Sequence, residues 1–316
     1  MASTSTTHRL TDRLSAFAGS RRWLSLGLLI GPVWVWTLLF IVLPCGLMIL
    51  MSFWRVENGE IVYDLGLKNY TTIFGRYVYY ATVLKSVRIA LIATGVSVLI
   101  AIPIAYVLSF KVGRLKHYIF PLLVISLWVG YLLRAFSWRL TLGDNGILNG
   151  LLMASGITDR PLDLLLYSPV AVILALTNLA VPFALIPIYT AFEQIPRPLM
   201  EAASDLGAGS ISRFFLVTAP MALHGIVLGA CFAFILSFGD YLAPVLVGGP
   251  SGMMVSNLAS SQFGAAFQWP MGSAIAVVMF LVVLVFMGMA QGLQHLALRR
   301  ARPRSAVSAE RGTRLD

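Results

Sequence analysis

Residues Ile89–Phe110 read IALIATGVSVLIAIPIAYVLSF, 22 residues without one charged side chain. The hydrocarbon core of a bilayer is about 30 Å thick, and about 20 residues of helix rising about 1.5 Å each cross it. Inside lipid every backbone N–H and C=O must find a partner within the chain, so a run of this length is expected as a spanning helix. Outward from it, uncharged runs recur at Leu24–Trp54, Leu164–Phe192, Phe214–Gly239 and Tyr241–Leu298. None shows the short alternating pattern of a membrane β-barrel. The chain is 58% hydrophobic and 11% charged, whereas a soluble domain carries about 25% charged residues to cover its surface. The fold class expected is all-α, a polytopic membrane protein with six crossings.

The crossings are expected near Leu24–Phe53, Ser86–Phe110, Tyr118–Leu142, Tyr167–Phe192, Phe215–Val247 and Met271–Leu296. The third carries Arg134 and Arg139 in its outer half, and the fifth is long enough to tilt or to end in an extended segment. Arg21 and Arg22 precede an apolar run too long for a secretory h-region, so the first crossing is expected to remain uncleaved. The Ser/Thr-rich residues 1–20 are expected to be a mobile tail. The net charge of +10 sits between the apolar runs, which argues against a nucleic-acid surface and for topology signals. Arg9, Arg13, Arg21, Arg22, Lys111, Arg114, Lys116, Arg197, Arg213, Arg299, Arg300, Arg302, Arg304, Arg311 and Arg314 fall on one side, so both termini are expected in the cytoplasm. The domain reading is a tail over 1–23, a transmembrane unit over 24–298 with a cytoplasmic loop over 193–220, and a basic tail over 299–316.

Trp54, Tyr77, Tyr79, Tyr80, Trp138, Tyr167 and Trp269 lie where outer interfaces are expected, a depth suited to rings with one apolar and one polar part. Gly27–Gly31 and Gly225–Gly229 have the spacing that lets helix backbones approach closely in lipid. Cys45 and Cys231 both lie inside apolar runs, where Cys acts as a small hydrophobe, and they offer neither a disulfide framework nor a zinc site. No metal or other cofactor is expected. The P-loop pattern and the G-x-S-x-G and H-E-x-x-H patterns are absent, so the chain is not expected to be an enzyme.

The loop between the fourth and fifth crossings runs from Glu193 to Pro220. Pro196 and Pro198 stop the preceding helix. Leu199–Leu206 reads as a short helix, Gly207 as its left-handed terminator, and Ser210 as the cap of a second short helix through Arg213 and Phe214. Such a bent, exposed element under the membrane suits docking to another protein.

This loop resembles the EAA loop of binding-protein-dependent ABC importer permeases. Glu201-Ala202-Ala203, Gly207, Phe214, Val217 and Pro220 stand at that family's spacing. The resemblance implies the type I importer permease fold in the bacterial inner membrane. It also implies a coupling helix seated in a cleft of a separate ATPase, with Glu201, Ala202, Ala203, Asp205 and Gly207 as coupling residues. The partners implied are an ATPase dimer, a second permease and a periplasmic solute-binding protein. Tyr131–Asn149 and Ser237–Pro250 are similar to segments of spermidine/putrescine permeases, and the likeness covers most of the chain from about residue 64. It implies a polyamine as solute, with opines, phosphonates, thiamine and ferric iron as alternatives in the same broad subfamily.

Asp240 is the acidic residue that adjoins a long apolar helix, and such groups usually face a cavity. Its carboxylate is expected either to meet an ammonium group in transit, beside Tyr241, Phe238 and Phe234 for cation–π contact, or to cap a helix or pair with Arg134 or Arg139. Ser251–Gln268 follows Gly248-Gly249-Pro250 and is read either as a segment folded back at the outer mouth or as a surface loop. A membrane-embedded enzyme would need convergent His, Asp or Ser groups, and an ion-driven carrier an inverted repeat with coupling acids; neither pattern is seen.

Overall fold

The computed structural model describes residues 31–162 and 165–301. α1 (Gly31–Met51) leads into a hairpin of β1 (Arg55–Glu57) and β2 (Glu60–Val62), followed by α2 (Lys68–Gly75) and α3 (Tyr77–Phe110). Next come α4 (Lys116–Val124), α5 (Tyr131–Leu142) and α6 (Ile147–Ala154). The second half runs through α7 (Pro169–Glu193), α8 (Arg197–Asp205), α9 (Ser210–Met221) and α10 (Leu223–Gly239) to α11 (Val255–Phe263) and α12 (Trp269–Ala301). The expected tail over 1–23, the start of the first crossing and the basic tail beyond 301 lie outside the described residues.

α1, α3, α7 and α12 are long and apolar enough to cross a membrane unbroken. Two further crossings are each a pair of helices bent sharply at a short break, by 86° between Gly113–Leu127 and Tyr131–Ala154 and by 75° between α9 and α10. Six crossings result when each bent pair counts as one, in keeping with both termini on one side.

The breaks correct two expected spans. Tyr118–Leu142 is not one helix: a 3-10 turn at Ile125–Trp128 ends in extended backbone at Val129, and α5 starts after Gly130. The Arg134 guanidinium turns back to donate to the carbonyls of Ser126 and, at 3.3 Å, Val129, carbonyls that a continuous helix would have satisfied itself. Phe215–Val247 bends at Ala222 and ends at Gly239, where Asp240 turns extended (φ −70°, ψ 131°). The second crossing begins nine residues before the expected Ser86, at Tyr77, so that Lys85 and Arg88 lie within the helix.

The all-helical expectation also missed the hairpin. Its turn is Asn58-Gly59, with φ of 52° and 86°, both left-handed as a two-residue type I′ turn requires. The Asn-Gly signal was present in the sequence.

α7 packs against both α3 and α10 and is the most buried of the unbroken spans. Its contact with α10 is set by missing side chains. A Cβ on Gly225 would lie 2.3 Å from Ala191 Cβ and 2.6 Å from the Pro187 carbonyl oxygen, and one on Gly229 would lie 2.8 Å from the Ala184 oxygen. Lipid tails are as apolar as leucine, so close packing replaces the hydrophobic effect in holding such helices together. Gly31 has nothing within 4 Å, and Gly27 lies outside the described residues. A core of Ala101, Ala105, Ala184, Ile188 and Phe192 at the cytoplasmic half of α3 and α7 continues into the connecting loop through Ile195 and Met200. That continuity positions the loop.

Ser251–Gln268 is not a plain surface loop. It contains α11, whose Val255, Ser256, Asn257 and Ala259 are buried. The Val255 N–H donates to Ser86 Oγ at 2.7 Å, the Ser256 hydroxyl to the Asp240 carbonyl at 2.5 Å, and Asn257 Nδ2 to the Tyr241 carbonyl at 2.7 Å. The segment folds back and supplies the donors that the broken end of α10 needs.

Candidate functional site

The cytoplasmic loop is built around α8. Pro196 is its N-cap and Pro198 sits in its first turn, where a missing N–H costs nothing. The prolines therefore start this helix as well as ending α7 at Glu193. At the other end Gly207 takes φ +81°. Its N–H donates to the Ser204 carbonyl at 2.8 Å, and the Ala208 N–H donates to the Ala203 carbonyl at 3.0 Å. These two bonds make the Schellman motif, in which a left-handed residue closes the last turn. Ser210 does not cap the following helix. Gly209 does, in extended conformation, and Ser210 is the first helical residue. Its hydroxyl instead accepts from Arg213 at 3.3 Å.

One face of α8 holds the loop to the body. Met200 is buried, with its sulfur 3.6 Å from the Thr218 hydroxyl. Arg213 reaches across the bend to the Ser204 hydroxyl at 2.5 Å, and Lys116 pairs with Glu193 at the end of α7. The opposite face is open. Glu201, Ala202, Asp205 and Gly207 are exposed and Ala203 is half-buried. Leu206, at the tip, is 88% exposed and Ile211 76%. Leucine and isoleucine are thus left uncovered on the loop, although burying a leucine fully contributes about 1.5–3 kcal/mol.

Near the far end of α10 the structure gathers a second polar group. The Tyr131 hydroxyl donates to Asp240 Oδ2, and Asp240 Oδ1 accepts the Ala243 N–H at 2.8 Å. Asp240 thus caps the turn after α10, as one of the two expectations had it. It pairs with neither arginine: Arg134 binds the carbonyls at the break, and Arg139 donates to the Tyr167 hydroxyl at 3.3 Å. Tyr241 is exposed, but Phe234 and Phe238 are fully buried. Their rings stack on each other at 5.5 Å, and Phe234 stacks on Phe286 of α12 at 3.9 Å. The four residues Asp240, Tyr241, Phe238 and Phe234 therefore do not share one surface in this conformation.

Sequence reasoning did not single out three polar residues that the fold places here. Tyr131 is 109 residues from Asp240, and nothing local announces the pairing. Thr177 and Asn178 line a cavity of about 660 Å³ with Ser126, Arg134 and Trp138. The signal was available there, since two adjacent polar residues in the middle of an apolar run ask for a reason.

Residues 18–300 match the family described as binding-protein-dependent transport system inner membrane component. The spermidine/putrescine transport system permease protein PotB of Haemophilus influenzae is 31% identical over 259 residues, 80% of this chain and 90% of that protein. PotB of Escherichia coli is 30% identical over 256 residues, 79% of this chain and 92% of that protein. The fold is similar to that of a chain in a crystal structure of a bacterial ABC transporter involved in the import of the acidic polysaccharide alginate. The TM-score is 0.68 at 17% identity, over 91% of this chain and 98% of that one.

Proposed function

The chain belongs to the binding-protein-dependent transport system inner membrane components, and from that premise we propose that it carries a polyamine and is driven through the loop around α8. The protein is a multi-pass permease of a binding-protein-dependent ABC importer in the inner membrane, and is not itself an enzyme. The polyamine reading is supported by the two PotB relatives, whose names give spermidine and putrescine.

The observation that carries the coupling reading is the Schellman-closed helix end with its exposed Leu206, held to the membrane core through Met200. A cytoplasmic ATPase would take this knob in a cleft. Ala202 and Ala203 keep the approach close, Glu201 and Asp205 supply polar contacts at its edge, and Gly207 sets the bend. Two ATPase subunits then act on two permeases, of which this chain is one, and the 24–298 unit alternates between outward and inward access as a periplasmic binding protein delivers solute. A screen of polyamines, opines and phosphonates against the binding protein that partners this chain tests the solute; tight binding of a non-amine alone would displace the polyamine.

Asp240 enters this scheme as a carboxylate whose hydrogen-bond partners, the Tyr131 hydroxyl and the Ala243 N–H, are both uncharged and leave its negative charge unpaired. In Asp240→Asn the cap to Ala243 survives, because the amide oxygen still accepts, while the negative charge is lost and the Tyr131 hydroxyl must turn to accept from the amide NH2 that replaces Oδ2. The expected result is polyamine uptake lower by about tenfold, from about 1.4 kcal/mol of lost attraction to an ammonium group, with unchanged protein level in the membrane. Uptake at the wild-type rate would remove Asp240 from the path.

A further inference from the structure

Between the cytoplasmic end of α3 and the inner side of α8 lies a crevice of about 360 Å³. Lys111, Arg197 and Arg213 line it together with Glu201, Ser204 and Ser210. Three cations thus face one carboxylate. The ion pairs among the described residues are Arg55 with Glu57 and Asp64, and Lys116 with Glu193, so none of the three cations is neutralised there. Arg213 is held in place by the hydroxyls of Ser204 and Ser210, yet its Nε is buried without a hydrogen-bond partner.

The Ser204 hydroxyl already donates to the Met200 carbonyl at 3.0 Å, so a fixed guanidinium, two further cations and the Ser210 hydroxyl make a cluster of donors short of acceptors. The group that satisfies them is a compact oxyanion with several acceptor atoms, as a phosphate is. The crevice lies where Phe110 gives way to Lys111, at the end of α3 and of its uncharged run Ile89–Phe110. Phe110 and Met200 also line it, and the apolar side continues outward, since Tyr106 meets Phe214 edge to face at 6.0 Å and Phe215 and Leu216 are exposed beyond it. An anionic head beside an apolar wall is the shape of a phospholipid of the cytoplasmic leaflet. We propose that this crevice seats the phosphate of an anionic phospholipid, which bridges α3 to the coupling helix. The proposal uses Lys111, Arg197 and Arg213; of the residues assigned to ATPase docking only Glu201 also borders the crevice, and the test below leaves Glu201, Leu206 and Gly207 unchanged.

The test uses the complete importer, with its partner subunits, in nanodiscs of phosphatidylcholine, of phosphatidylcholine with phosphatidylglycerol, and of phosphatidylcholine with inorganic phosphate in the buffer. Lys111→Gln with Arg197→Gln removes two cations and spares Arg213, which holds the bend. Each basic side chain near an anionic lipid surface contributes about fivefold to binding, so phosphatidylglycerol retained through purification, counted by native mass spectrometry, falls about 25-fold in the double variant. Phosphatidylglycerol raises the thermal midpoint of the wild-type complex and not of the double variant, inorganic phosphate leaves both unchanged, and Lys111→Arg with Arg197→Lys behaves as wild type. Equal retention in wild type and double variant overturns the proposal. So does a midpoint raised as much by inorganic phosphate as by the lipid, which would assign the crevice to a soluble anion.

Discussion

Gly207→Pro abolishes uptake while leaving the permease in the membrane at its normal level. Gly207 stands at φ +81° and donates its N–H to Ser204 at 2.8 Å. Proline fixes φ near −65° and has no N–H, so it can neither make the left-handed turn nor keep the bond, at a cost of about 3 kcal/mol or more. The loop then leaves its present geometry, and a population of the docking-competent form lowered about a hundredfold weakens coupling by the same factor. The membrane body is spared because Met200 and Ile195 anchor the loop on the other side of the bend. Gly207→Ala is graded between the two, since a left-handed alanine costs about 1–2 kcal/mol. Glu201→Lys tests the docking face without disturbing the bend: Glu201 is exposed and joins no ion pair among the described residues. Its expected effect is ATP hydrolysis that continues without uptake. Wild-type uptake in both Gly207→Pro and Glu201→Lys contradicts the coupling role.

The second large effect is on stability. Gly225→Val places a branched side chain where even a Cβ would sit 2.3 Å from Ala191 Cβ and 2.6 Å from the Pro187 oxygen. One of those neighbours is backbone, so rotamer changes cannot relieve the clash and α10 must move off α7. Overpacking of this kind costs about 1–3 kcal/mol, and the midpoint of unfolding in detergent is expected to fall by about 2–12 °C. Gly225→Ala with Ala191→Gly removes the first clash and keeps the second, so the pair recovers part of what Gly225→Ala alone loses. Gly95→Ala is the control, because Gly95 has nothing within 4 Å and its midpoint stays at the wild-type value. A Gly225→Val protein as stable as wild type would mean that α7 and α10 are not in close backbone contact.

What the sequence made legible follows from the range of the forces involved. The run Ile89–Phe110 declared itself because lipid imposes one condition on every residue in it. Gly207 was legible because the Schellman motif is closed by bonds within five residues. The breaks at Gly130 and Asp240 were not, because each is stabilised from elsewhere: Arg134 turned back on Ser126, Tyr131 reaching Asp240, and Ser256 and Asn257 of α11 supplying donors to the end of α10. Phe234 and Phe238 were read as pathway aromatics from their position beside Asp240. Their burial is decided by α12, through a ring stacked on Phe286, and one helix read alone cannot show which of its faces a later helix will cover. Ser210 failed as a cap for a local reason: Gly209 takes the extended conformation before it and leaves the hydroxyl free for Arg213.

The most direct measurement is crosslinking from the loop tip in membranes that carry the whole importer. With Cys45→Ser and Cys231→Ser removing the native thiols, a short bifunctional reagent is attached at Leu206→Cys. A product at the combined mass of permease and ATPase, lost in Gly207→Pro, is the predicted result. A thiol at that position that yields no ATPase adduct and reacts with an impermeant reagent from the outer side of intact cells would contradict the account.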